Sequence, residues 1–308
     1  MADPESFRRL SDERVTVMYM IGNLLQSMRP KQLSKNVLVF AALLFSKNLL
    51  NVSMSLKVVS GFILFSAITG ATYLMNDIVD RNSDRFHPEK SNRPIASGRL
   101  PVAVAASSAA LLVCVGLTGA YMLGVRFLVV AVSYFLLQIM YSFVLKRIVI
   151  LDVLALTTGF VLRVLAGGVV IQVEISSWLL ICTFLLALFL ALCKRRHELT
   201  LLADGAASHR KVLNEYSIPL LDQMISMTTA STLIAYTLYT LSERTVAKFG
   251  TERLVYTVPF VVYGIFRYLY LVHIKKAGGS PETLLFTDVS LISGILSWGV
   301  CAGLIIYF

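Results

Sequence analysis

The chain has 308 residues, of which 56% are hydrophobic and 15% are charged, and its mean hydropathy is +0.74. Soluble domains of this size carry roughly a quarter charged residues, so the composition indicates a protein that has lipid as its solvent. The net charge of +10 does not indicate nucleic-acid binding, because the basic residues are scattered between apolar runs and form no single stripe.

The first 32 residues are predicted to form a cytoplasmic N-terminal segment. Apolar residues between Val15 and Met28 recur on one helical face, and basic residues flank the stretch on both sides. The stretch is too polar to span a bilayer, which favours an amphipathic helix lying on the inner leaflet. A helix packed on the rest of the protein is the alternative. Residues 33–308 are predicted to form the membrane-embedded catalytic domain.

Apolar runs that approach the ~20 residues needed to cross a bilayer recur along the rest of the chain. They are continuously apolar and do not alternate, which favours helices over a barrel. The nine predicted spans are 33–50, 55–76, 101–122, 125–144, 150–171, 177–193, 215–242, 254–273 and 288–307.

The distribution of basic residues predicts the orientation. With the N-terminus in the cytoplasm, 20 of the 28 Lys and Arg residues fall in inner segments and six fall in outer loops. The inner loops 77–100 and 194–212 are also long and dense in charged residues, Asn and His. The sequence therefore predicts an all-α, polytopic bundle of nine transmembrane helices with a central cavity that faces the cytoplasm. It would lie in the cell (inner) membrane, with the active site inside and the C-terminus outside.

An acidic motif follows the second predicted span. Asn76, Asp80 and Asp84 are four residues apart and Asp77 falls on the same side, so a helix that continues inward aligns all four oxygen-bearing side chains. Their mutual repulsion requires a positive partner, and carboxylates that share a shell with water and phosphate oxygens are typical of Mg²⁺. A solvated acidic helix end is the alternative. Basic residues follow at once, which favours a metal–diphosphate site. They are Arg81, Arg85, Lys90, Arg93 and Arg99.

The string N-D-x-x-D-x-x-x-D, followed by R-P-I-A-S-G, resembles the first aspartate-rich motif of the UbiA superfamily of intramembrane prenyltransferases. This resemblance implies a nine-helix bundle with a metal–diphosphate site on the cytoplasmic side. Further segments resemble one branch, the decaprenyl-phosphate phosphoribosyltransferase group. They are RPKQLSKN (29–36), YSFVLK (141–146), LD…GFVLRVLAGG (151–168), CKRRHEL (193–199) and RYLYLVHIKKAGGSPE (267–282).

That group transfers 5-phosphoribose from phosphoribosyl pyrophosphate (PRPP) to a polyprenyl phosphate and releases pyrophosphate. The resemblance thus implies PRPP, a polyprenyl phosphate lipid and the membrane as partners, Mg²⁺ as cofactor, and a step toward lipid-linked pentose for the cell envelope. A homo-oligomer is compatible with these features.

One departure from the wider superfamily concerns the loop after the sixth span. Aromatic prenyltransferases usually carry a second acidic motif there, whereas this chain has Lys194, Arg195, Arg196, His197 and Glu198. Cations in place of carboxylates indicate an anionic group held directly, such as the 5-phosphate of PRPP. The alternative is that these bases only mark the inner side of the membrane.

Five other positions have specific interpretations. Arg163 lies mid-span, where it either reaches a lipid phosphate or pairs with a buried carboxylate. Arg267 lies near an inner helix end, where snorkelling also explains it. Asp152 starts a helix, so capping is its default role. Tyr141 and Lys146 end the fourth span and are predicted phosphate donors.

The predicted metal ligands are Asn76, Asp77, Asp80 and Asp84, and the predicted catalytic residues are Asp77, Asp80, Asp84 and Lys194. The predicted substrate-binding residues are Lys31, Lys35, Asn36, Arg85, Lys90, Arg93, Tyr141, Lys146, Asp152, Arg163, Arg195, Glu198 and Arg267. The alternative enzyme is a UbiA-type prenyltransferase that moves an isoprenoid onto an aromatic or lipid-alcohol acceptor. A transporter would spread ionisable residues through several spans, but only Arg163 and Arg267 stand out here.

Overall fold

The computed structural model describes residues 18–86, 90–203, 211–275, 283–284 and 287–308, and this part of the chain contains helices and no strand. The eight longest helices are α1 (Val52–Val79), α2 (Val102–Leu123), α3 (Val125–Phe143), α4 (Leu151–Val170), α5 (Ser177–Ala203), α6 (Ile218–Leu241), α7 (Val258–His273) and α8 (Val289–Tyr307). Shorter helical segments are 18–27, Pro30–Leu33, Ser34–Phe40, Ala41–Phe45, Arg81–Asp84, Lys90–Asn92, Leu145–Arg147, Lys211–Glu215, Glu243–Phe249 and Arg253–Thr257.

Seven segments of the described chain are long and apolar enough to cross a membrane. They comprise α1 to α4, Ser177–Thr200 of α5, Arg253–His273 with α7, and α8. These seven agree with seven of the nine predicted spans, and the all-helical class is confirmed. The count of nine stays a prediction.

The other two predicted spans have identifiable departures from a simple apolar helix. Residues 33–50 are divided among a short helix, a 3₁₀ segment and Ala41–Phe45. The run 215–242 forms α6, whose 24 residues reach about 36 Å but include a series of threonines. Several threonine hydroxyls bond to carbonyls of the same helix, as Thr228 does to Met224 and Thr232 to Thr228. Such bonds satisfy the polar groups inside the helix.

The described chain divides into two units. The first comprises Phe62–Phe135 with the described residues up to Asn36, and the second comprises the described parts of Val37–Gly61 and Leu136–Phe308. The core of the first unit joins α1, α2 and the loop between them, since Ile95 and Leu100 of the loop are as buried as Leu74 of α1. The loop that follows the acidic motif is therefore anchored by apolar burial.

The N-terminal helix (18–27) of the first unit has an unusual polarity. Met18, Ile21 and Leu25 are 75%, 51% and 52% exposed, whereas Asn23 and Ser27 are buried. The buried polar side chains bond to carbonyls of their own helix, so their burial leaves no partner missing. An apolar stripe therefore lies on the outer side of this helix.

The second unit is packed around α4, α5, α6, α7 and α8. Val153, Phe189 and Leu221 belong to its largest buried apolar cluster. Gly167 of α4 permits a close approach, because a Cβ atom there would lie 1.9 Å from the carbonyl oxygen of Val39. Only glycine fits that contact, which sets the spacing between α4 and the segment after Asn36.

Candidate functional site

The acidic motif lies at the end of α1 in the first unit. The amide of Asp80 donates to the carbonyl of Asn76 at 2.9 Å, and the amide of Asp84 donates to that of Asp80 at 2.8 Å. Helical hydrogen bonding thus continues past the end of α1 into Arg81–Asp84. This is the condition under which the four-residue spacing aligns the side chains. Asn76 and Asp80 are half-buried and are joined by an amide–carboxylate hydrogen bond of 3.1 Å.

Asp77 and Asp84 are buried and face arginines. Arg93 Nη1 lies 3.1 Å from Asp77 Oδ1 and 2.6 Å from Asp84 Oδ2, so one guanidinium bridges the two carboxylates. Arg29 also donates to Asp77 Oδ1, and its guanidinium lies over the Tyr73 ring, 5.1 Å from the centroid. Two arginines therefore provide positive partners for the buried carboxylates.

The donor chemistry of this cluster suits a hard divalent cation. No three His, Cys, Asp or Glu side chains within the described ranges are grouped to hold a metal. Mg²⁺, however, commonly uses one or two carboxylates and completes its shell with water and phosphate oxygens. The oxygen donors of Asn76 and Asp80, which are half-buried, fit that pattern.

Other predicted ligands of the first unit take different environments. Arg85 is exposed and its Nε donates to the Ala96 carbonyl at 3.1 Å, which ties it to the loop. Lys31 is exposed, while Lys35 and Lys90 are half-buried. Asn36 is fully buried, and its amide lies 3.0 Å from the Ser66 hydroxyl. These observations place the residues and leave their substrate contacts as predictions.

The second unit contains a buried charge network at Arg195. This guanidinium is 1% exposed, and its Nε lies 2.7 Å from Oδ2 of the fully buried Asp152. Arg195 also donates to Glu198, whose side chain is 25% exposed. The network therefore runs from a fully buried carboxylate to a partly exposed one.

The Tyr216 hydroxyl completes the network. It donates to Asp152 Oδ1 at 2.7 Å and accepts the backbone N–H of Ile150 at 2.7 Å. The hydroxyl thus uses its proton for the carboxylate and a lone pair for the backbone amide.

Three predicted phosphate ligands of the second unit are half-buried: Tyr141, Lys146 and Lys194. Lys194 is the residue before Arg195 on α5, and Tyr141 interacts electrostatically with Arg195. Lys146 belongs to the turn Leu145–Arg147, which packs against α4 and against Lys211–Glu215. The structure thus groups these residues around the same network.

The two arginines inside predicted spans are engaged within the protein. Arg163 is 4% exposed, its Nη1 donates to the Gly159 carbonyl at 2.7 Å, and its guanidinium lies 5.4 Å from the centroid of the Phe160 ring. Arg267 makes a two-pronged contact with Asp288, at 3.1 and 2.7 Å. Asp288 in turn caps α8 by accepting the amide of Leu291.

Sequence reasoning assigned no role to Arg29 or Tyr216. Arg29 stands in the segment RPKQLSKN, but its link to Asp77 joins positions 48 residues apart. Tyr216 lies 64 residues from Asp152. No periodic pattern connects positions so far apart, so only the folded chain reveals either contact.

The fold is that of a helical membrane protein, and its two polar clusters combine oxygen donors with cations. A model of the UbiA prenyltransferase family matches residues 37–288, and the chain belongs to that family. It is an integral membrane protein and a transferase.

Two relatives that match this chain over most of their length carry the same name. The chain is 33% identical over 290 residues to a decaprenyl-phosphate phosphoribosyltransferase of Corynebacterium glutamicum, covering 92% of this chain and 86% of the relative. It is 31% identical over 293 residues to the Mycobacterium tuberculosis protein of the same name, covering 94% and 96%. The predicted family resemblance is thereby confirmed.

A solved UbiA homologue shares the fold. The structure from Archaeoglobus fulgidus, bound to DMAPP and Mg²⁺, matches with a TM-score of 0.67 at 16% identity, covering 91% of this chain and 99% of that one. At this identity the likeness concerns the fold alone.

Proposed function

We propose that the chain transfers 5-phosphoribose from PRPP to a polyprenyl phosphate of the decaprenyl type and releases pyrophosphate. The observation that carries this proposal is the 31–33% identity to decaprenyl-phosphate phosphoribosyltransferases over more than nine-tenths of the chain. The cations at 194–196, where a second acidic motif is expected for aromatic prenyltransferases, support the same substrate.

The reaction is a displacement at the anomeric carbon of PRPP. A phosphate oxygen of the lipid forms a bond to C1 of the ribose, while the bond from C1 to the pyrophosphate oxygen breaks and its electron pair leaves with pyrophosphate. The lipid phosphate is already anionic at neutral pH, so no general base is needed. The protein's task is to position the donor and to stabilise the charge that develops on the leaving group.

The acidic cluster is assigned to the pyrophosphate. Asn76 and Asp80, together with Asp77 and Asp84, would hold Mg²⁺, which supplies Lewis-acid stabilisation of the leaving group when bound. Arg93 contacts two of these carboxylates. When the diphosphate is bound, its guanidinium would donate to a diphosphate oxygen in place of a carboxylate. Arg85 and Lys90 would support the same anion.

The basic segment of α5 is assigned to the 5-phosphate. Lys194 is half-buried and would donate to it directly, with Tyr141 and Lys146 as further donors. Arg195 and Asp152 are buried against each other, so we assign them a supporting role in place of the direct substrate contact that the sequence suggested. Lys31, Lys35, Asn36, Arg163, Glu198 and Arg267 remain predicted substrate-binding residues.

The membrane arrangement is part of the proposal. We place the N-terminus and both clusters on the cytoplasmic side of the inner membrane, with nine crossings and the C-terminus outside. The outward apolar stripe of helix 18–27 supports its position on the inner leaflet, because lipid would cover Met18, Ile21 and Leu25.

The family name favours a second candidate, transfer of an isoprenoid from its diphosphate to an aromatic or lipid-alcohol acceptor. One incubation separates the two. Purified protein with Mg²⁺ is given either PRPP and polyprenyl phosphate or geranylgeranyl diphosphate and an aromatic acceptor, and lipid products are analysed by mass spectrometry. A phosphoribosylated lipid from PRPP is expected. Consumption of the prenyl diphosphate with an aromatic acceptor, and no use of PRPP, would refute the proposal.

A further inference from the structure

The backbone at Ile150 adopts a conformation that its side chain disfavours. Its φ and ψ are 70° and −46°, and the amide of Leu151 donates to the carbonyl of Val149 at 2.9 Å, which closes a three-residue turn. This geometry is that of the rare γ-turn, which is strained, and β-branched residues seldom adopt positive φ. Such strain persists only where surrounding contacts enforce it.

The hydroxyl of Tyr216 is one of those contacts. Its bond to the Ile150 N–H fixes the turn from one side, and its bond to Asp152 fixes the first turn of α4 two residues later. The Ile150 side chain itself is 46% exposed, so packing of that side chain does little to hold the turn. Tyr216, in contrast, is 6% exposed and belongs to the apolar core of the second unit.

The pinned turn lies between two groups assigned to the 5-phosphate. Four residues before Ile150 stands Lys146, and Asp152 holds Arg195, the neighbour of Lys194. One hydroxyl therefore ties the segment before α6 to the elements that carry both lysines. The contact from Arg195 to Asp152 likewise ties α5 to α4, and the contact from Arg195 to Glu198 lies within α5.

We infer that Tyr216 is a positioning residue that sets Lys146 and Lys194 for the phosphate of the donor by holding the strained turn at Ile150 and the carboxylate of Asp152. This inference rests on the proposed function, because it takes the 5-phosphate as the group that these lysines bind. Tyr216 touches no reacting atom and acts through the backbone and through Arg195.

The test compares Tyr216→Phe with Tyr236→Phe. Tyr236 is also buried, and its hydroxyl also has two partners, with Thr257 Oγ1 and Trp298 Nε1 each at 2.7 Å. Both variants lose one buried hydroxyl, so a similar fall in melting temperature is expected. Only Tyr216→Phe should raise KM for PRPP, by roughly tenfold or more, since small misplacements of binding groups carry large kinetic penalties. Its kcat/KM for ribose-1-diphosphate, which lacks the 5-phosphate, should stay near that of the wild type.

A rescue variant tests the strained turn directly. Glycine adopts positive φ without strain, so the KM for PRPP of Ile150→Gly/Tyr216→Phe should lie between those of Tyr216→Phe and the wild type. The double variant should also fold if the single variant does not. The inferred role of Tyr216 would be overturned if the double variant had the same KM for PRPP as Tyr216→Phe, or if Tyr216→Phe and Tyr236→Phe had equal KM values. Either result would leave the proposed function intact. A wild type that ignores PRPP would instead overturn the proposed function, and this inference with it.

Discussion

Arg93 lies 2.6 Å from Asp84, so a base assigned to the diphosphate contacts a carboxylate assigned to the metal. Because Asp84 is 4% exposed, removing its charge would take away one of the two buried carboxylates that Arg93 contacts, as well as a proposed ligand. Asp80 is better suited to a test of metal binding, since it is half-buried and contacts the neutral amide of Asn76.

Asp80→Asn is expected to lower turnover by about a hundredfold or more, because an amide replaces a carboxylate that would hold the Mg²⁺ needed to stabilise the leaving-group charge. The melting temperature should change little. Turnover is measured with PRPP and polyprenyl phosphate across a Mg²⁺ titration. The control is Asn82→Ala, an exposed position in the short helix Arg81–Asp84 that follows Asp80, and it should behave as wild type. Full activity of the wild-type protein in EDTA would remove the metal from the mechanism.

Arg195→Ala and Lys194→Ala should separate stability from substrate binding. Loss of Arg195 leaves the fully buried Asp152 without its cation, which costs about 3–5 kcal/mol in comparable cases. Lys194 is half-buried, so its truncation should leave stability nearly unchanged. Thermal unfolding in detergent measures both. Equal melting temperatures for the two variants would contradict the buried pair, and Arg195→Lys should not restore stability, because one ammonium cannot replace the guanidinium toward both Asp152 and Glu198.

Gly167→Ala should destabilise the second unit, because the added methyl would lie 1.9 Å from the Val39 carbonyl oxygen. Overpacking of this kind typically costs about 1–3 kcal/mol. Gly264→Ala in α7 is the matched control, since nothing lies within 4 Å of a Cβ there. That change should be neutral or should stabilise the helix by up to about 1 kcal/mol. Thermal unfolding of the pair checks the difference, and an unaffected Gly167→Ala would show that α4 does not approach Val39 this closely.

Reporter fusions test the predicted topology. A fusion at Phe308 and one within 194–212 should report opposite sides of the membrane, with the internal fusion cytoplasmic. The same readout at both positions would contradict nine crossings, and it would bear directly on α6, the span between the two fusions that the structure leaves open.

Continuous apolar runs were sufficient to predict seven spans, because lipid imposes a length and a composition on any helix that crosses it. The four-residue spacing from Asn76 to Asp84 indicated a shared face if the helix continues inward, and the helical hydrogen bonds do continue there. The run 33–50 was read as one helix, yet it is divided between 3₁₀ and α segments. Its close contact with Gly167 is a tertiary feature that composition does not encode.

The charge partners were harder to predict. Asp152 was read as a helix cap or a substrate ligand, but its carboxylate is used by Arg195 and Tyr216. Both partners are more than 40 residues away, and no local rule selects one base from the several in CKRRHEL. A buried carboxylate at the start of an apolar helix requires a cation. That requirement was the one feature of the sequence that indicated a charged partner for Asp152.

The choice of donor decides between the two enzyme candidates, and Lys194→Ala tests it. If Lys194 holds the 5-phosphate, its loss removes a charged hydrogen bond worth roughly 1.5–3 kcal/mol, so kcat/KM for PRPP should fall about ten- to a hundredfold. Ribose-1-diphosphate should be a poor donor for the wild type and hardly worse for the variant, because the contact is already missing. Lys275→Ala removes the same charge from an exposed inner position and should leave both donors unaffected. Initial rates with the two donors give the comparison.

An equal loss for both donors would place Lys194 at the pyrophosphate and not at the 5-phosphate. Unimpaired use of PRPP would exclude Lys194 from the donor site.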